Sequence, residues 1–200
     1  MKLLLVRHAE TDINLQEITH KSNDKAQLTQ NGRNQAEALI GIFRNYSIER
    51  IYSSPEARAI ETAEIVASGI NKPIEVIVGL AERNWGQWGG KNWEEIENNL
   101  KKMTIEERYN FIPPSGESWK EMDDRLKKVI DRLVNGPEEN VAIITHEGTL
   151  RALITLLNKA PKASSLSLHF NNASITMFEN TNSKFTQQTI NDISHLGSLM

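Results

Sequence analysis

Cysteine is absent from this chain, which excludes a disulfide framework, a thiolate metal site and a cysteine nucleophile. Long apolar runs are absent too. None approaches the ~20 residues of a membrane span, and the first, Leu3 to Val6, is too short for a secretion-signal core and leads straight into charged residues. The expected location is therefore cytoplasmic. A basic excess is also missing: 23 Lys and Arg stand against 26 Asp and Glu, a formal net charge of −3. Nucleic acid and anionic membrane surfaces are thus not the expected partners, and any attraction for phosphate must be local. Internal repeats, low-complexity tracts and linkers are not found. Two hundred residues with 38% hydrophobic content suit a single domain over 1–200, stable without staples.

What is present begins with a buried-strand pattern, Leu3-Leu4-Leu5-Val6, that delivers Arg7 and His8 side by side at its C-terminal end. An arginine beside a nucleophilic imidazole is the pairing that phosphoryl transfer asks for. Two further stretches repeat the arrangement. Arg58 follows Ser53-Ser54-Pro55, and His146 follows Ile143-Ile144-Thr145, each after a short apolar run at a strand-to-helix junction. Open α/β sheets bind ligands beyond the carboxyl ends of their strands, so the three stretches converge on one anion site.

The coarse pattern alternates strands and helices. Strands are expected at 2–6, 50–53, 74–78, 141–145, 166–170 and 175–179. Helices are expected at about 29–45 with Thr29 as N-cap, from near Pro55, at 117–134 and at 149–158. Residues 14–27 read as turn-rich, and about 80–114 as an inserted segment over the site with a charged helical stretch inside it. Alternating βα units predict a three-layer α/β/α fold with a mostly parallel sheet and helices on both faces.

Six stretches in order resemble the histidine phosphatase superfamily, also called phosphoglycerate-mutase-like. They are Arg7 to Asn14 (Arg-His-Ala-Glu-Thr-x-x-Asn), Leu28 to Ala36, Ser53 to Ala63, Leu80 to Trp88, Gly116 to Ser118 and His146 to Gly148. The resemblance implies the same fold as the alternation does. In size the chain is similar to the family's phosphatase branch, which includes α-ribazole and broad-specificity phosphatases.

A phosphomonoester carries about two negative charges, and Arg7 and Arg58 offer planar forks of N–H donors to neutralise them. His8 is the expected nucleophile, a neutral imidazole that forms a phosphohistidine, with its other nitrogen held by a backbone carbonyl to set the tautomer. The resemblance assigns His146 a donor role toward the transferring phosphoryl oxygens, Glu82 the proton for the leaving group, and Asn14 a hydrogen bond to phosphate. With the arginines supplying charge compensation, no metal and no cofactor are called for.

The expected activity is metal-independent hydrolysis of a small phosphorylated metabolite by a monomer or homodimer. The alternatives are a phosphoglycerate mutase-type phosphotransferase, disfavoured because the longer mutase insertions are missing, and a silent phosphate-binding module. Reading His8, His146 and Glu82 as metal ligands conflicts with two arginines that would repel the cation. Taken alone, Arg58 would simply pair with Glu56 or Glu61. His20, in the loop after the first motif, is placed to line the pocket, whereas His169 and His195 read as ordinary histidines and the tryptophans as packing residues. Two departures from the family pattern bear on substrate preference: Glu147 follows the second histidine where glycine is frequent, and residues 15–27 lack the usual glycine.

Overall fold

In the computed structural model, residues 1–22, 24–182 and 184–199 are described. Strand β1 (Lys2–Arg7) is followed by a short helix α1 (Asp12–Leu15), helix α2 (Gln30–Asn45), β2 (Arg50–Ser53), α3 (Ala57–Ile70) and β3 (Ile74–Val76). Next come α4 (Trp93–Leu100), α5 (Ile105–Asn110), α6 (Trp119–Val134), β4 (Asn140–Thr145), α7 (Glu147–Leu157), β5 (Ile175–Thr181) and β6 (Lys184–Asp192). Among the described residues six strands form one sheet in the order β3-β2-β4-β1-β5-β6. The first four strands run parallel, and β5 and β6 add an antiparallel hairpin at one side.

Strand β1 lies inside the sheet and is buried on both faces, which explains its unbroken leucines. Leu3 and Leu5 face the core built with α6 and α7, including Met122, Leu126, Leu150 and Leu153. Leu4 and Val6 face the opposite core with α2 and α3, including Leu39, Phe43, Ala63 and Val66. Each fully buried leucine contributes roughly 1.5–3 kcal/mol, so alternate residues of one strand tie both helical layers to the sheet.

Helix starts follow their caps. The Thr29 hydroxyl accepts from Gly32 N, and Thr104 and Ser118 each form reciprocal capping boxes with Glu107 and Glu121. Within residues 80–114, Trp85, Ile96 and Leu100 form a separate apolar cluster with Trp88, Trp93, Met103 and Phe111. Backbone bonds lace this segment to the loop after α1: Thr19 N donates to Lys91 O at 2.9 Å, and Trp93 N to Glu17 O at 3.0 Å.

Two expectations need correction. The run 166–170 is no strand, because a 3-10 turn occupies Lys162–Ser167 and the following residues cover the core instead of pairing. Phe170 is buried there, and its carbonyl accepts from Arg7. Strand β6 was not expected, because an edge strand with a solvated face reads as mostly polar: Lys-Phe-Thr-Gln-Gln-Thr-Ile-Asn-Asp. Its Phe185 packs edge-on against Phe178 of β5, with ring centroids 6.3 Å apart.

Candidate active site

The parallel register brings the three expected stretches together. Arg7 of β1 pairs with Thr145 of β4, and Ser53 of β2 pairs with Ile144. One residue beyond those pairs lie His8, His146 and Ser54, at the carboxyl ends of three adjacent strands. His8 N donates to Thr145 O at 2.8 Å and Ser54 N to Ile144 O at 3.0 Å, so the ladder continues into the site. All three residues are buried.

The His8 ring has one orientation with a defined tautomer. Its Nδ1–H donates to the Ala9 carbonyl at 2.8 Å, which leaves the lone pair on Nε2. Arg58 Nε–H points at that nitrogen from 3.3 Å. Burial first, then the charges of Arg58, His146 and Arg7, hold the His8 pKa well below the ordinary histidine value. The imidazole is therefore neutral with its nucleophilic lone pair facing a guanidinium.

Arg58 is 1% exposed and connects both histidines. Its Nη2 donates to His146 Nδ1 at 3.0 Å, and its Nη1 reaches Asp24 at 3.3 Å. Pairing with Glu56 or Glu61 does not occur: Glu61 takes Arg33 at 2.9 Å and Leu28 N at 2.9 Å instead. Behind His146, Nε2–H donates to Glu56 at 3.0 Å and lies 2.6 Å from Ser54 Oγ. Burial alone would raise the Glu56 carboxyl, but the bonds from His146 and Ser54 and the charge of Arg58 outweigh it and bring the pKa to about 2. Burial and Arg58 push His146 down, while Glu56 pulls it up.

Glu82 sits at the N-terminus of α7. Its carboxylate accepts from the backbone N–H of Arg83 at 2.7 Å and from those of Gly148 at 3.0 Å and Thr149 at 3.1 Å, the last two being free N–H groups that open α7. Its charge is felt by Arg7, Arg58 and His146, so it lies close to all three.

Arg7 Nη1 donates to Phe170 O at 2.5 Å and lies 3.4 Å from Glu147. Its Nε is buried and, among the described residues, has no hydrogen-bond partner. Glu147 is shared among Arg7, Arg151 and His169. Although burial would raise this carboxyl, Arg7 and Arg151 hold it below the usual range. The carboxylate beside Arg7 is thus answered by two arginines. Asn14 Oδ1 accepts from Thr11 N at 3.1 Å and from Asn172 at 3.1 Å, so only its amide N–H2 group remains as a donor for a ligand.

His20 does approach the site, edge-on to His8 at 5.8 Å between ring centroids, and bonds Asp24 at 2.8 Å. Burial and Arg58 lower it to about 4, against the pull of Asp24. His169 is exposed, as expected, and the buried Trp85 and Trp119 are packing residues. Sequence reasoning missed Asp24, Ser54, Asn172 and the role of Glu56. Only Glu56 and Ser54 carried a signal, their place inside the Ser-Ser-x-x-x-Arg stretch. Structural residues of the motifs are also accounted for: Gly32 lets α2 approach, since a Cβ there would lie 2.2 Å from Glu10 O.

Among the described residues no group of three or more His, Asp or Glu side chains is placed to hold a metal ion. Likewise, no helix among them is long and apolar enough to cross a membrane. What the arrangement offers is a deprotonated imidazole nitrogen, two guanidinium forks, a second histidine and a carboxylate gathered beyond the carboxyl ends of β1, β4 and β2.

Known proteins resemble this chain in sequence and in fold. The histidine phosphatase superfamily (branch 1) matches residues 3–193, and the chain belongs to that superfamily. A 2,3-bisphosphoglycerate-dependent phosphoglycerate mutase of Thermoplasma acidophilum is 29% identical over 88% of this chain and 86% of its own. An adenosylcobalamin/α-ribazole phosphatase of Salmonella typhimurium is 29% identical over 82% and 83%. A crystal structure of a mutant phosphoserine phosphatase from Entamoeba histolytica, in complex with phosphoserine, superposes with a TM-score of 0.86. It is 25% identical and covers 98% of each chain.

Proposed function

We propose that this histidine phosphatase hydrolyses small phosphorylated metabolites through a phosphohistidine at His8. The observation that carries the reading is the His8 tautomer: Nδ1–H is committed to Ala9 O, and Nε2 presents its lone pair beside Arg58. A phosphoryl group held by Arg7, Arg58, His146 and the Asn14 amide has its charge spread over fixed donors. His8 Nε2 attacks phosphorus, the ester oxygen leaves with a proton from Glu82, and water then releases phosphate while Glu82 takes the proton back. No metal enters these steps, because the guanidinium groups compensate the charge.

The 80–114 segment belongs to this reading as a cover over the site. Its support is the placement of Glu82 at the segment's start and its bonds to the loop that carries His20 and Asp24. A cytoplasmic enzyme, monomeric or homodimeric, completes the proposal. The mutase reading stays in play because the Thermoplasma relative bears that name.

The test is phosphate release from a panel of phosphomonoesters in EDTA, comparing the native chain with His8→Ala. Release that persists in EDTA and disappears in His8→Ala is expected. Isomerisation of 3-phosphoglycerate faster than hydrolysis would move the mutase reading to the front, and hydrolysis that survives loss of His8 would overturn the mechanism.

A further inference from the structure

Glu56 stands apart from the residues assigned above. It precedes α3 and offers no side-chain cap to that helix, so it is not explained as a helix-start residue. Its carboxylate is 10% exposed, and among the described residues its ion pair is with a histidine and not with an arginine or lysine. The two oxygens go to different parts of the site: Oε2 accepts from His146 Nε2 at 3.0 Å, and Oε1 accepts from the backbone N–H of Glu82 at 3.2 Å.

We infer that Glu56 is a positioning residue that makes His146 a cationic donor when a phosphoryl group enters, while holding Glu82 in register with it. The inference rests on the phosphatase reading and deepens it. Groups facing His146 come from every neighbouring element: His8 after β1, His20 in the loop after α1, Arg58 on α3 and Glu82 between β3 and α4, besides Glu56 itself. Arg58 donates to His146 Nδ1 at 3.0 Å, so the ring accepts there and is neutral. An entering phosphoryl group carries about two negative charges and draws the Arg58 N–H to itself. His146 Nδ1 is then released beside the phosphoryl group, takes a proton from solvent hydronium or from the O–H of a substrate monoanion, and donates it as a hydrogen bond to a phosphoryl oxygen of the dianion. The Nε2–H stays on Glu56, whose negative charge stabilises the imidazolium, as a carboxylate does behind the histidine of a hydrolytic triad. No other bond is made or broken.

The experiment is a ring-nitrogen NMR titration of His146 in the full chain, with and without saturating inorganic phosphate, for the native protein and Glu56→Gln. Phosphate is expected to raise the His146 titration midpoint of the native protein by about one pH unit or more, and Glu56→Gln to remove that rise. Turnover of p-nitrophenyl phosphate by Glu56→Gln should fall in kcat by roughly a hundredfold, with KM within about threefold of native. A native His146 that stays neutral in bound phosphate overturns the inference even if Glu56→Gln fails to fold. So does a Glu56→Gln protein whose ring titration matches the native one. Absence of native turnover would instead sink the phosphatase reading, and the phosphate titration reports on Glu56 either way.

Discussion

Gly148 and Glu82 are matched in space: the Glu82 carboxylate accepts the Gly148 N–H at 3.0 Å, and a Cβ at Gly148 would lie 2.5 Å from Glu82 Oε1. The glycine of the His-x-Gly stretch is thus there to let a carboxylate reach the first turn of α7. Gly148→Ala is expected to displace the flexible end of Glu82 while improving helix propensity by up to about 1 kcal/mol. Thermal stability should stay near native, while kcat drops at least about tenfold and inhibition by inorganic phosphate is nearly unchanged. A kcat close to native would show that Glu82 does not need this position.

Arg58 joins both histidines through a planar fork that lysine does not reproduce. Arg58→Lys should lower kcat/KM by about a hundredfold or more, corresponding to roughly 3 kcal/mol of lost charge stabilisation. Steady-state kinetics on p-nitrophenyl phosphate measure it directly, and a loss under about fivefold would remove Arg58 from the phosphoryl site.

Asp24 holds Arg58 Nη1 at 3.3 Å and places a negative charge where, in the proposed mechanism, a dianion binds. Asp24→Asn should therefore tighten inhibition by inorganic phosphate by about two- to tenfold, which corresponds to roughly 0.4–1.4 kcal/mol. Weaker phosphate binding in this variant would mean that Asp24 positions Arg58 rather than competing for it.

Acid should destabilise the fold in a window set by His20. Its folded value is about 4 against an ordinary 6.5, so between these pH values the unfolded chain binds a proton that the folded chain does not. Stability consequently falls as pH drops from 6.5 toward 4, and His8 and His146, also lowered, act in the same direction. Glu56, held at about 2, adds a further loss below the ordinary carboxyl range. Urea unfolding of native and His20→Gln proteins from pH 7 to pH 4 checks this, with a shallower decline expected for the variant.

Much of the site was readable because it sits at the ends of apolar runs. Leu3 to Val6 and Ile143 to Ile144 are local hydrophobic signals, and the polar residues following them are marked by position alone. The two departures from the family pattern were visible but not interpretable. Glu147 has a neutralising role only because Arg7 and Arg151 arrive from β1 and from the next turn of α7. The missed edge strand β6 lacked the alternation of a strongly buried face, since its pairing with β5 is satisfied chiefly through backbone hydrogen bonds.

By itself, then, the sequence determined the α/β alternation and the identity of Arg7, His8, Arg58 and His146 as candidates, because strand burial and helix entry are local properties of the chain. Tertiary structure alone decided which nitrogen of His8 is free, that Glu56 stands behind His146, and that Asp24 lies on Arg58. Those relationships depend on the register of β1, β4 and β2 and on the course of the loop tied to residues 88–93. Contacts between residues some 34 to 92 positions apart are set by that three-dimensional packing, and no spacing along the chain encodes them.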